Sequence, residues 1–302
     1  MRREAFDVVH THSSKTGVLG RMAAAAADIP CVVHTVHGFA FPAARFKAVR
    51  KLYQWCETRC GQVTDALVCL NSEDRQISIE QLDMPSERIE VIANGVDTDA
   101  FRPIEDQEAR IAQRAQRLPG DPERPAVMMI GRLWKQKQPE AFVAAAVALI
   151  QNGSDAHFYL AGDGNLRSQL EESIQAAGVT DRVHLLGWRD DVSALLPLAD
   201  VMVLPSLWEG MPIVLLESHA CGVPIVASDI PGNRDCVIDG VDGHLVPKND
   251  PQCLAKRIGE LVNDPQERKA MGAAGREKIV REFDIQYRQR AIESLYERLL
   301  AR

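Results

Sequence analysis

The sequence predicts an α/β protein built as a pair of doubly wound parallel-sheet domains. Three observations lead there. Short β-rich runs alternate with longer helix-like segments along nearly all 302 residues, the pattern of parallel strands joined by crossover helices. The runs form two series, separated by a polar, proline-containing stretch around residues 102–125. The length suffices for two modest domains or one large one.

In the first series, residues 6–10, 31–36, 66–70 and 89–93 read as strands, because valine, isoleucine and other apolar residues cluster there between turn formers. Residues 16–27, 43–61 and 72–82 between them suit helices. In the second series the strands are expected at 126–130, 156–161, 183–185, 201–204 and 225–227. Helices are expected at 139–151, 166–177, 191–196, 211–221, 252–262, 265–282 and 287–301. The first series opens directly at a strand, without an earlier strand and Gly-rich turn, so the N-terminal domain reads as incomplete.

Composition is that of a globular protein, 46% hydrophobic and 25% charged. The net charge of −7 argues against nucleic acid as the main partner. Residues 1–60 nevertheless carry nine Lys/Arg against four Asp/Glu, which allows a local basic face for an anionic partner or membrane. Seven cysteines without CxxC pairs fit reduced thiols and a cytoplasmic setting. Cys56 and Cys60 share a helix face, but no metal tetrad surrounds them. There is no 18-residue apolar run and no basic-then-apolar leader.

The residues able to carry chemistry follow the strands of the second series. Gly131-Arg-Leu-Trp-Lys-Gln-Lys137 begins where a strand ends; Arg132 and Lys137 place two cations suited to a diphosphate, or form a solvated basic turn. Gly162-Asp-Gly164 is either a nucleotide cradle or an ordinary turn, and the segment 228–233 is a weaker candidate of the same kind. In Glu209-Gly-Met-Pro-Ile-Val-Leu-Leu-Glu217, Pro212 suits a first helical turn that could hold an anion. Eight helical residues would separate Glu209 and Glu217 by about 12 Å, enough to reach different hydroxyls of one extended ligand. The alternative is an acidic helix entrance with a surface Glu217.

In the first series, His10, His12, His34 and His37 fall near strand ends. Ordinary hydrogen-bonded histidines account for the first three, and His37 beside Gly38 is the cleft candidate. Residues 43–61 place Phe46, Val49, Leu52, Tyr53 and Cys56 at helical spacing among Arg45, Lys47, Arg50, Lys51 and Arg59. That is a packed helix with solvated charges, or a surface for phosphate-bearing lipid. Asp97-Thr-Asp99 reads as an Asx turn or a weak metal-nucleotide site.

Gly131-Arg132-Leu133 with Lys137, Gly162-Asp-Gly164 and Glu209–Glu217, taken in order with Asn94-Gly-Val-Asp97 and the His10/His12 and His34/His37 segments, resemble glycosyltransferase family four across almost the whole chain. The resemblance implies a GT-B arrangement. Residues 1–100 would be a partial acceptor-side domain, 101–282 the donor-binding domain, and 283–302 a helix returning toward the first. It also implies a retaining hexosyltransferase using a nucleotide sugar, UDP-linked by expectation, without metal or other cofactor. Arg132 and Lys137 would bind the donor diphosphate, with Gly162, Gly164, Met211 and Pro212 around it. Glu209 would engage the transferred sugar, Glu217 the ribose, and His37 would orient the donor sugar. Residues 7–21 and 34–41 resemble bacterial members that build capsule, exopolysaccharide or lipopolysaccharide. An undecaprenyl-linked or other glycan acceptor follows from that, as does a place at the inner face of the cell membrane. The alternatives are a non-catalytic nucleotide-sugar-binding or assembly protein, or a phosphorylase or epimerase on the same plan.

Overall fold

The computed structural model describes residues 6–39, 41 and 46–301. The chain order begins β1 (Val8–His12), α1 (Ser14–Ala26), β2 (Cys31–Thr35), α2 (Lys47–Gly61), β3 (Ala66–Cys69), α3 (Ser72–Leu82), β4 (Ile89–Val91), α4 (Gln107–Arg117) and β5 (Ala126–Ile130). It continues with α5 (Pro139–Gln151), β6 (His157–Ala161), α6 (Arg167–Ala176), β7 (Val183–Gly187), α7 (Val192–Leu195), β8 (Val201–Leu204) and α8 (Ile213–Ala220). Last come β9 (Ile225–Ser228), α9 (Pro231–Arg234), β10 (Gly243–Val246), α10 (Pro251–Asn263), α11 (Pro265–Glu282) and α12 (Ile285–Leu300). Two compact units result: Met1–Gly95 with Ile285–Arg302, and Val96–Asp284.

The first unit holds a parallel sheet in the order β1-β2-β3-β4. Right-handed crossovers between neighbours put α1, α2 and α3 on one face. There Gly17 of α1 lies so close to His34 that a Cβ would sit 2.4 Å from the ring. The other face is covered by α12, whose Leu295, with Ala291, Ile292 and Leu299, packs on Cys31, Val33, Ala66 and Val68. Alternation along β1 therefore sends His10 and His12 to the α12 face and Thr11 to the α1 face; Thr11 Oγ1 bonds His34 Nδ1 at 2.8 Å, and both are buried.

Helix α2 departs from the packing reading of its sequence. Among its described residues the buried ones are Glu57 and Cys60, and Glu57 is there because Arg21 pairs with it at 2.6 Å. Of the apolar residues expected to pack, Phe46 is 63% exposed and Leu52 55%, Val49 and Tyr53 are also exposed, and Cys56 is half-buried; Trp55, outside that stripe, is exposed too. Spacing located an apolar stripe, but the face that α2 buries carries Glu57, paired with Arg21, and Cys60. Arg45 lies outside the described residues, as does the expected start of this helix.

The second unit is a six-stranded parallel sheet in the order β10-β9-β8-β5-β6-β7. Strands such as Ala126–Ile130 and Val201–Leu204 are nearly continuous apolar runs because helices cover both faces. The core joins Val127, Met129, Phe158, Leu160 and Val203 to Phe142, Leu170 and Ile258 from the helices. Two elements contradict the sequence reading. The stretch around 102–125 contains α4, capped by Asp106 and held by arginines instead of an apolar stripe. Arg114 donates to Leu198 O at 2.8 Å and pairs with Asp200 at 2.6 Å, and Arg110 bonds Ala199 O and Asp200. The short strand β10 has no alternation to announce it and forms by parallel pairing with β9.

Candidate functional site

In the second unit, β5 lies beside β8; the chain runs outward from β5 through β6 to β7, and from β8 the other way through β9 to β10. Loops at such a reversal part from one another and leave a crevice at the carboxyl ends of the strands. The two loops here carry the basic and acidic segments singled out in the sequence.

After β5, Gly131 N donates to Ala161 O and Leu133 N to Asp163 O, both at 3.0 Å. The adjoining loop after β6 must come equally close: a Cβ on Gly162 would lie 1.9 Å from Gly131 O, and one on Gly164 2.5 Å from Leu133 O. Gly162 has φ +143, a conformation other residues rarely adopt. Both glycines thus have a structural reason, the seating of the Arg132 loop. Arg132 is exposed, in no ion pair among the described residues, with its guanidinium 4.8 Å from the centre of the Trp134 ring.

Lys137 points across the reversal to the loop after β8, where its Nζ lies 2.6 Å from Glu209 Oε1. Backbone bonds fix the approach: Leu207 N donates to Gln136 O, and Gln136 Nε2 donates to Trp208 O. The Glu209 side chain is only 8% exposed. Beyond it, a Cβ on Gly232 would meet Gly210 O at 2.2 Å, so the segment 228–233 braces this loop from behind.

Pro212 occupies the cap position of α8, and the helix proper starts at Ile213, two residues later than expected. Glu209 is therefore outside the helix, and the helical estimate of its distance from Glu217 does not apply. Met211 and Pro212 are buried, which leaves the backbone at the head of α8, not their side chains, as the group a ligand could meet. The Pro212 side chain makes no capping hydrogen bond, and the N–H groups of the first helical turn carry partial positive charge. Glu217 faces a drier setting: it is half-buried, has no ion pair among the described residues, and burial pushes its pKa up to about 7. Behind it, buried His219 bonds Asp242 O at 2.9 Å, Asp242 pairs with Lys278, and a Cβ on Gly275 would strike the imidazole. No local signal in the sequence marks this brace.

In the first unit, His37 is exposed just beyond β2, with its Nε2 3.0 Å from His12 Nδ1. His12 stacks on His10 at 4.5 Å. His10 in turn bonds Tyr296 Oη at 2.5 Å and Thr35 Oγ1 at 2.7 Å. The sequence separated His37 from these histidines, whereas the fold joins it to His12. Burial and the neighbouring Arg288 lower the pKa of His12; burial, His12 and Arg288 lower that of His37. Burial, with His12 and Arg288, pushes His10 down to about 4. Among the described residues no group of three or more His, Cys, Asp or Glu is placed to hold a metal ion. Asp97 caps its own turn by accepting from Asp99 N and Ala100 N.

The family profile described as glycosyl transferases group 1 matches residues 111–278, and that of glycosyltransferase family 4 matches residues 1–100. A UDP-Gal:alpha-D-GlcNAc-diphosphoundecaprenol alpha-1,3-galactosyltransferase of Escherichia coli is 41% identical over 300 residues, covering 98% of this chain and 76% of the relative. The chain belongs to glycosyltransferase family 4. An alpha-D-kanosaminyltransferase of Streptomyces kanamyceticus is 30% identical, covering 90% of this chain and 72% of the relative. The fold is that of solved GT-B enzymes. Sucrose-phosphate synthase from Thermosynechococcus elongatus superposes with TM-score 0.85 at 24% identity, over 98% of this chain and 74% of that one. Anabaena HepE in complex with UDP-glucose gives 0.83 at 23%, over 96% and 79%. This family-4 member is a retaining glycosyltransferase that takes its sugar from a nucleotide-sugar donor and passes it to a glycan acceptor. No helix among its described residues is long and apolar enough to cross a membrane.

Proposed function

We propose that this glycosyltransferase moves a hexose from a UDP-linked donor to a lipid-linked glycan in polysaccharide biosynthesis, without a metal. The observation that carries the residue assignment is the Lys137–Glu209 contact at the strand-order reversal, with Arg132 on the same loop as Lys137 and in no ion pair among the described residues. Arg132 and Lys137 receive the donor diphosphate, and the first turn of α8, entered through Met211 and Pro212, offers helix-terminal N–H groups to the same charge. Gly162 and Gly164 hold the Arg132 loop in place. Glu209 engages the transferred sugar, Glu217 the ribose, and His37 orients the donor sugar. A uridine donor and a diphosphoundecaprenol acceptor are supported by the Escherichia coli relative's own substrates.

The chemistry asked of these groups is charge stabilisation. As the anomeric carbon–oxygen bond to phosphate breaks, negative charge grows on the departing diphosphate. Fixed cations and a helix terminus in a partly dry site lower that barrier without reorganising. The acceptor oxygen bonds the anomeric carbon on the face the phosphate leaves, and its proton passes to the departing phosphate oxygen. Neither Glu209 as a covalent nucleophile nor His37 as a base is required.

Helix α2 supports contact with an anionic membrane, at the inner face of the cell membrane. Phe46, Leu52 and Trp55 are exposed beside Lys47, Arg50, Lys51 and Arg59, and Arg59 lies 5.8 Å over the Trp55 ring. Aromatic and aliphatic side chains ringed by cations suit a headgroup layer.

The reading is tested by product mass across a panel of UDP-hexoses and lipid-linked acceptors, with Arg132→Ala as control. Saturable donor binding with no product from any pairing would sink the transferase claim. Full activity in Arg132→Ala would sink the diphosphate assignment.

A further inference from the structure

Trp134 stands in the loop after β5 with 45% of its surface exposed, although burying an indole is among the larger gains open to a folding chain. Its place is nonetheless fixed. Trp134 N donates to Arg132 O at 2.8 Å, and Lys137 N donates to Trp134 O at 2.9 Å. Leu133, between the first two, is buried and anchors the turn. The indole lies against the loop after β6, where a Cβ on Gly164 would come 2.7 Å from Trp134 Cδ1. Over the ring, 4.8 Å from its centre, sits the guanidinium of Arg132.

Two neighbouring cations are held by carboxylates, Lys137 by Glu209 at 2.6 Å and Arg167 by Glu171 at 2.9 Å. A carboxylate fixes an arginine by taking up its N–H donors and offsetting its charge. An aromatic ring attracts the same cation through its π face. It leaves both the charge and the hydrogen-bonding edge of the planar group for another partner. Arg132 is exposed and in no ion pair among the described residues, so the indole is what holds it. An unheld arginine gives up the rotamer freedom of a long side chain when an anion arrives. A ring that restrains it beforehand removes part of that cost.

We propose that Trp134 is a positioning residue for Arg132: its indole, seated on Gly164, holds the guanidinium in place, with charge and N–H donors intact, for the donor diphosphate. This rests on the transferase reading above, in which Arg132 receives that diphosphate, and adds the residue that keeps it poised.

The full chain is titrated with UDP by calorimetry, as a double-mutant cycle of Trp134→Leu and Arg132→Ala. Leucine fills much of the seat against Gly164 and offers no π face. Trp134→Leu should weaken UDP binding about threefold to fivefold, the weight of one exposed cation–π contact, and kcat/KM for a UDP-hexose should fall by the same factor. In the Arg132→Ala background the same change should cost nothing further. Trp134→Tyr, which keeps a π face, should keep most of the affinity. Without ligand, the indole ring current should move the Arg132 side-chain proton resonances of the wild type upfield of their positions in Trp134→Leu. Should Trp134→Leu fail to fold by thermal melting, Trp134→Gln takes its place in the cycle.

An equal loss in both backgrounds would overturn the proposal, because a ring that only supports the loop acts without Arg132. So would tighter UDP binding by Trp134→Leu, the mark of a guanidinium parked away from the ligand. Equal affinity of Trp134→Leu and Trp134→Tyr, or Arg132 resonances that do not move, would overturn it as well. Arg132→Ala binding UDP as tightly as the wild type would sink the diphosphate assignment together with this proposal. A loss in Arg132→Ala without coupling to Trp134 would sink this proposal alone.

Discussion

Lys137 and Glu209 meet at 2.6 Å although 72 positions separate them, and the carboxylate keeps only 8% of its exposure. The pair ties the loop after β5 to the loop after β8. Lys137→Ala would strand a poorly hydrated carboxylate, which should cost about 2–4 kcal/mol of stability. Glu209→Gln keeps a hydrogen-bonding partner for the ammonium and should cost about 1 kcal/mol. Both should lower kcat/KM about 100-fold or more through lost charge stabilisation. Denaturant unfolding and steady-state rates check this; a Lys137→Ala protein as stable as the wild type would show that the pair has no structural weight.

Glu217 gives a pH signature. Burial holds its pKa at about 7, above the ordinary carboxylate value, so the folded state favours the protonated form. Its favourable contribution is complete in acid and is lost as the pH rises through about 7. Glu217→Gln should therefore be more stable than wild type above pH 7, by about 1–2 kcal/mol after allowance for solvent screening, and equally stable near pH 4. If the carboxylate accepts a ribose hydroxyl, wild-type donor affinity should rise from pH 6 to pH 8 and that of the variant should not. Parallel affinity profiles would remove Glu217 from the ribose.

Acid should unfold the protein through its histidines. Burial and nearby Arg21 push His34 down to about 3, and burial lowers His10 and His219 to about 4. These groups take up protons more readily when unfolded, so the stability they supply is present above about pH 6.5 and is lost as the pH falls toward 4. Melting temperature should decline steadily over that window. A flat profile between pH 7 and pH 4.5 would mean that these rings are hydrated.

The exposed face of α2 predicts sedimentation with phosphatidylglycerol vesicles and little with phosphatidylcholine alone. Neutralising Lys47, Lys51 and Arg59 together should weaken that binding about 100-fold, at about 1 kcal/mol for each charge. Trp55→Ala should weaken it at every ionic strength, because its contribution is apolar. Binding indifferent to both changes would reject α2 as a lipid contact.

By itself the sequence determined the alternation of strands and helices, the two-series plan and the residues worth watching. Those signals are local: apolar periodicity, glycine at strand ends, a cation or carboxylate at a fixed offset. Tertiary structure decided what the offsets could not carry. It brought Lys137 onto Glu209 and bonded His37 to His12, joining positions whose distance in the chain leaves no pattern to read. It set the face that α2 buries, which carries Glu57, paired with Arg21, and not the apolar stripe. The helix α4 has local causes, its Asp106 cap and a run of good helix formers; the fold decided only its docking, through Arg110 and Arg114 to buried carbonyls and Asp200. Local propensity specifies the elements; desolvation and distant charge specify which of their side chains meet.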